Sequence, residues 1–146
     1  MVAGLIASLK TKKMGKHLSD LMCNWCRVMG SDDDQPIVME IYAGLTERDE
    51  LMVSVDLFDY EERRYNCSTA VIVRRSDAKK IAKRHGISYA ALPRLIADSM
   101  EEWREIVNAN FEEVLGCFKE ITECLLDEGC RMRFWRTYGK GGHRCC

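Results

Sequence analysis

Apolar residues alternate with polar ones along three consecutive stretches in the first half of the chain. Residues 37–43, 51–58 and 67–75 place hydrophobic side chains at every second position, the period of a strand with one buried face. The connections between these stretches are short and charged. The pattern therefore predicts a three-stranded antiparallel meander with one face on a core.

Apolar residues recur at steps of three and four on both sides of this meander. Residues 2–29 show this spacing with an interruption around residues 12–15, which predicts an N-terminal helical region. Residues 77–85 predict a short helix that ends at Gly86, and residues 98–128 predict a long amphipathic helix.

The last periodic stretch alternates again. Residues 132–138 predict a C-terminal strand. The expected fold is therefore α+β: an N-terminal helix, a three-stranded antiparallel meander, a short helix, a long amphipathic helix and a C-terminal strand. With 146 residues, 47% of them hydrophobic, the chain has the size of one domain. We expect this domain over residues 1–138 and a flexible Gly- and Cys-rich tail over residues 139–146.

Composition favours a cytoplasmic protein that does not cross a membrane. No run approaches the ~20 apolar residues that a membrane span needs, and the N-terminus lacks the features of a secretory signal. The chain has eight cysteines, but enough apolar residues to fold without disulfides, so most of the thiols are expected to be reduced. Cys117 and Cys124 lie among apolar residues at helical spacing, where a free cysteine behaves as a small hydrophobe.

Charge is distributed in blocks although the net charge is only −1. Residues 66–97 carry a net charge of +6 and residues 98–128 one of −8. The basic block either pairs with the acidic helix or offers phosphate contacts to a nucleic acid through the segment 74–95. The candidate nucleic-acid-binding residues are Arg74, Arg75, Lys79, Lys80, Lys83 and Arg84.

The same segment resembles a helix-turn-helix motif in the residues at its turn and at the expected helix crossing. Ile81 and Ala82 precede Gly86 as the residues at such a helix crossing do. Pro93 argues against a recognition helix, because a proline is tolerated only in the first turn. We expect a short turn before Pro93 and a helix that starts there. The segment also resembles, more weakly, the helices of ribbon-helix-helix repressors.

A metal site is a further alternative. Cys23 and Cys26 have the C-x-x-C spacing that lets two thiolates bind one zinc ion, and His143 and Cys145 supply two more ligand types. The surrounding residues favour a helix rather than the tight turn of a zinc ribbon. Cysteines without a metal role are the simpler interpretation, and no cofactor is expected.

Motifs of catalysis are missing from the sequence. It contains no G-x-S-x-G, phosphate-binding loop or H-E-x-x-H. The acidic run Asp32 to Asp34 lacks the spacing of a calcium loop. By elimination, the sequence favours a small non-enzymatic protein-interaction or regulatory module that forms a homodimer through helix 98–128.

Overall fold

The computed structural model describes residues 17–138 and 143–145. Six antiparallel strands follow one another across a single sheet in chain order. The strands are β1 Met22–Gly30, β2 Ile37–Thr46, β3 Leu51–Asp59, β4 Cys67–Val73, β5 Met132–Tyr138 and β6 His143–Cys145. The helices are α1 Arg75–Arg84, α2 Leu92–Ser99, α3 Glu101–Arg104 and α4 Phe111–Asp127.

The helices pack on one face of this sheet. Alternate residues of β2, β3 and β4 point toward them, and Val53 and Val71, which are register partners, are fully buried there. The opposite face is contacted by a short 3₁₀ turn, Leu18–Leu21, whose Leu18 packs with Met52 in a second, smaller apolar cluster. The molecule is thus an α+β fold.

The predicted order of elements is wrong at the N-terminal end. Residues 22–29, which the sequence predicts to be helical, belong to the edge strand β1. Its pairing with β2 shifts register between Met22 and Asn24 and again between Arg27 and Met29. Each bulge inserts one extra residue, so the apolar positions of this strand fall at steps of three and imitate a helix.

The predicted helix over residues 98–128 is also wrong as a continuous element. The chain leaves the helical conformation after Arg104 and passes through Asn108, whose φ is +54°. A new helix starts after Asn110, whose side chain accepts a hydrogen bond from the Glu113 N–H at 2.8 Å. The Glu113 carboxylate in turn accepts one from the Asn110 N–H at 3.0 Å. This capping box gives α4 its own N-terminus.

The short helix before it folds back onto α4. Trp103 packs against Gly116, where an added Cβ would lie 2.9 Å from the indole ring. The indole N–H donates to the Glu120 carboxylate at 3.2 Å. In one continuous helix Trp103 and Gly116 would be about 20 Å apart, so this contact requires the break between the two helices.

Residues 143–145, which the sequence assigns to a flexible tail, form β6 next to β5. Residues 139–142 and 146 of that tail, and residues 2–16 of the predicted N-terminal helical region, lie outside the described residues. Within the described ranges, no helix has the length and apolar character needed to cross a membrane.

Candidate interaction surfaces

One side of α4 is apolar and faces solvent. What we call the α4 strip consists of Phe111, Leu115, Leu126 and the half-buried Phe118, which also packs against the core. Together with Thr122 these residues lie within one sector of the helix, because they follow one another at steps of three or four residues. Leu115 is 47% exposed and Leu126 is 58% exposed. The two leucines are three turns apart, about 16 Å along the axis. The strip adjoins the buried side of α4, which faces the core through Val114, Cys117, Ile121 and Leu125.

The sheet next to α4 is not fully covered by helices. Phe134 of β5 pairs with Val71 of β4, so its side chain points to the helix-bearing face. Val71 is completely buried there, whereas Phe134 is among the exposed large hydrophobic residues. The apolar surface of α4 therefore lies on the same side of the molecule as an exposed aromatic ring of the sheet.

Charged side chains border the α4 strip. Glu112, Lys119 and Glu123 are exposed on α4, and the Lys119 ammonium lies 4.0 Å from the Glu123 carboxylate. An exposed i,i+4 pair of this kind contributes little to stability. It nevertheless places a positive and a negative charge beside the apolar strip, where they are available to a partner.

The second candidate surface is the solvent side of α1, where all six predicted nucleic-acid-binding residues are exposed. The three arginines have carboxylate partners: Arg74 lies 3.6 Å from Asp77, Arg75 lies 4.0 Å from Asp49, and Arg84 lies 3.3 Å from Glu128. Glu128 directly follows α4, so the end of α1 reaches the acidic segment through Arg84 and through the next residue, His85, whose Nε2 lies 3.1 Å from the Glu128 carboxylate. The basic block is thus partly neutralised and partly free.

The three lysines of α1 differ from the arginines. Among the described residues, Lys79, Lys80 and Lys83 form no ion pair with a carboxylate. The Lys79 ammonium lies 5.6 Å from the centre of the Tyr89 ring. Lys80 and Lys83 line an open cleft of about 600 Å³ between α1 and the end of α4.

The helix-turn-helix interpretation does not fit the position of α2. A 3₁₀ turn over Tyr89–Ala91 precedes α2, and Pro93 lies in its first turn, as expected. The helix packs beside β1 with Leu92 and Ile96 buried, and its Pro93 carbonyl accepts a hydrogen bond from Cys26. Because α2 covers the edge of β1, it does not project as a recognition helix.

The four candidate zinc ligands are not brought together. Cys23 and Cys26 lie on β1, whereas His143 and Cys145 belong to β6 at the opposite edge of the sheet. Neighbouring strands are about 4.8 Å apart, so five spacings amount to roughly 24 Å in a flat sheet. Burial also raises the pKa of Cys26, which disfavours the thiolate that zinc needs.

Cys117 is buried, and burial raises its thiol pKa to about 12. Cys124, which the sequence placed among core residues, is exposed.

The acidic run at the β1–β2 connection forms a turn. Within the described residues, the one cluster of potential metal ligands is Asp32, Asp33 and Asp34. The Asp32 carboxylate accepts a hydrogen bond from the Asp34 N–H at 3.0 Å. This local bond stabilises the turn and explains the cluster without an ion.

A buried polar cluster on the second sheet face has no counterpart in the sequence analysis. Asp56 of β3 is fully buried and accepts hydrogen bonds of 2.5 Å from the hydroxyls of Ser19 and Ser68. The Leu18 N–H donates to the Ser68 hydroxyl at 3.0 Å. The cluster therefore fixes the Leu18–Leu21 turn on the sheet.

The cluster also contains a histidine but does not form a catalytic triad. His17 Nε2 lies 2.8 Å from the Leu57 carbonyl oxygen. That oxygen only accepts, so Nε2 carries the hydrogen and does not take a proton from a serine. Burial raises the pKa of Asp56 to about 6, against the lowering effect of His17 and of the serine hydroxyls. A signal was present in the polar Ser54 and Asp56 on one side of the otherwise apolar β3.

Comparison with known protein families, curated proteins and solved structures finds no match for this chain.

Proposed function

We propose that the protein is a non-enzymatic protein-interaction module that pairs with a second copy of itself through α4. The observation that carries this proposal is the exposure of Leu115 and Leu126 on one side of the same helix. An exposed apolar surface on a small domain marks an interaction site. Because each leucine is already about half-buried, removing the rest of its surface from water contributes roughly half of the 1.5–3 kcal/mol that complete burial gives.

A second copy is the occupant because the α4 strip is complementary to itself. A two-fold axis midway between Leu115 and Leu126 places each leucine opposite the other one in the second copy. The same operation brings Lys119 within one residue of Glu123 in the second copy. The apolar contacts are therefore flanked by two equivalent pairs of opposite charge. The surface is limited to Phe111–Asp127 and does not extend over the whole predicted helix 98–128.

Cytosolic placement is part of the same proposal. Thiols in a reducing compartment stay unpaired. In the part of the chain that the structure describes, the free cysteines are Cys23, Cys26, Cys67, Cys117, Cys124 and Cys130.

Light scattering at high micromolar concentration tests the dimer. We expect a mass of twice the 16.8 kDa of one chain. The double substitution Leu115→Lys and Leu126→Lys should weaken association by at least about 100-fold, since it removes the apolar contact and buries unpaired charge. A wild-type protein that remains a monomer, or a double variant that still dimerises, contradicts the proposal.

A matched control separates the α4 strip from exposed apolar residues in general. Val107 is 83% exposed but lies before α4, so Val107→Lys should leave the dimer intact. The charge pair offers a second test of the antiparallel arrangement. Lys119→Glu and Glu123→Lys should each weaken the dimer, and the combined exchange should restore it.

A further inference from the structure

The solvent side of α1 is more cationic than its ion pairs suggest, because in two of the three pairs the carboxylate is much less exposed than the arginine; in the third pair, Arg75 and Asp49 are similarly exposed, at 57% and 54%. The Arg74 side chain is 56% exposed and its partner Asp77 only 13%. Arg84 is 52% exposed and its partner Glu128 29%. The guanidinium groups therefore remain in solvent while much of the negative charge is covered.

The side chain of Asp77 is held in place by a backbone hydrogen bond. The Arg131 N–H donates to the Asp77 carboxylate at 3.2 Å. This hydrogen bond, together with the nearby Arg74, holds the pKa of Asp77 below its usual range. Asp77 thus stabilises the first turn of α1 and also interacts electrostatically with Lys80.

The exposed cations of α1, paired and unpaired, form two short rows. Arg75, Lys79 and Lys83 follow one another at steps of four residues, and Lys80 and Arg84 form a parallel row. Each step corresponds to a rise of about 6 Å along the helix. A linear array of this kind meets several charges of an extended polyanion at once.

We propose that α1 is a binding surface for the phosphate backbone of double-stranded nucleic acid. Phosphate contacts by lysine and arginine supply the affinity of such binding without sequence readout. Since α2 is packed against β1, it does not enter the major groove as a recognition helix would, and the binding that we propose is independent of sequence.

The surroundings of α1 distinguish this partner from a membrane or a single strand. Among the described residues, segment 74–95 exposes no large hydrophobic side chain, so it offers no large apolar group that could enter a lipid layer. Single-stranded nucleic acid needs aromatic rings on which bases stack. Tyr89 is half-buried, and its hydroxyl donates to the Asp49 carbonyl, which leaves no free aromatic platform in this segment.

The test is fluorescence anisotropy of a labelled 20-base-pair DNA duplex between 50 and 200 mM salt. We expect the affinity to fall linearly on a log–log plot, with a slope of about −0.9 per phosphate contacted. The variant Lys79→Gln with Lys83→Gln should reduce this slope by about two and weaken binding roughly tenfold at 100 mM salt.

A matched control removes the same charge elsewhere. Arg63 and Arg64 are exposed in the 3₁₀ turn before β4, at the end of the sheet opposite to α1. Replacing both with glutamine should leave affinity and slope unchanged. All four residues are exposed, so thermal melting should be the same in both variants and the wild type.

Three results would overturn the proposal. The first is a wild-type protein that does not bind the duplex at 50 mM salt, an outcome that needs no variant. The second is an equal loss of affinity in the two glutamine variants, which would mean that the contact is not at α1. The third is binding to phosphatidylserine vesicles without binding to the duplex, which would identify a membrane surface as the partner.

Discussion

The two faces of the sheet are stabilised by different kinds of interaction. On the helix-bearing face, residues such as Val53, Val71 and Ile121 form a core of apolar side chains. On the opposite face, Leu18 and Met52 pack beside the buried carboxyl group of Asp56. Apolar burial does not depend on proton binding, whereas the free energy of a buried carboxyl group does. We therefore expect one face to be insensitive to pH and the other to respond to it.

The largest expected effect is on the helix-bearing face. Ile121 of α4 is 1% exposed in the core, so Ile121→Ala should lower the free energy of unfolding by about 3–4 kcal/mol, equally at mildly acidic and neutral pH. Urea denaturation at the two pH values measures this. Leu115→Ala, on the exposed side of the same helix, should cost less than about 1 kcal/mol in the monomer. Equal losses would show that α4 does not face the sheet through Ile121.

On the second face we expect a smaller effect on the free energy of unfolding, and this effect depends on pH. The pKa of Asp56 rises on folding from 3.8 to about 6. The folded state then binds the proton more tightly than the unfolded chain. The stability contributed by protonated Asp56 is therefore greatest below about pH 4 and is lost as the pH rises through 6. Between about pH 4.5 and pH 7 the free energy of unfolding should fall by about 2 kcal/mol.

The groups that face Asp56 define the control for this prediction. His17, Cys67 and Tyr42 interact with it electrostatically, and they are retained in Asp56→Asn, which keeps the shape of the side chain but does not titrate. This variant should be nearly flat over the same pH range. If its stability falls as steeply as that of the wild type, Asp56 is not the group that titrates.

The middle of the fold was predictable because its pattern is regular. Strands β2, β3 and β4 pair without register shifts, so strict alternation survives in the sequence. Bulges destroy this alternation in β1. The sequence alone does not reveal such bulges, because they depend on pairing with β2.

The candidate sites also differ in how far the sequence predicted them. The basic residues of α1 and the exposed apolar residues of α4 were visible as local patterns. The cluster of Ser19, Asp56 and Ser68 was not, because its members are separated by 37 and 12 positions and meet only in the folded sheet. The strand order likewise places the predicted zinc ligands on β1 and β6 at opposite edges of the sheet. The spacing of cysteines in the sequence does not reveal this order.

The predicted continuity of helix 98–128 was an error that a local signal could have prevented. Asn110 and Glu113 have the spacing of a capping box, although the apolar period runs through them. Asn110→Ala should lower the free energy of unfolding by about 1 kcal/mol, because the Glu113 N–H loses its acceptor. Asn110→Ser, which keeps an acceptor, should cost clearly less. Both are measured by urea denaturation.

The Asn110→Ala substitution also tests whether the two faces of the sheet contribute independently to stability. The cap acts on α4, which packs only on the helix-bearing face, so the fall in stability between acidic and neutral pH should be the same in Asn110→Ala and in the wild type. A changed pH dependence would mean that the start of α4 is coupled through the sheet to Asp56. An unchanged one, together with the loss of about 1 kcal/mol, would show that apolar packing on one face and proton binding on the other contribute independently to the stability of one domain.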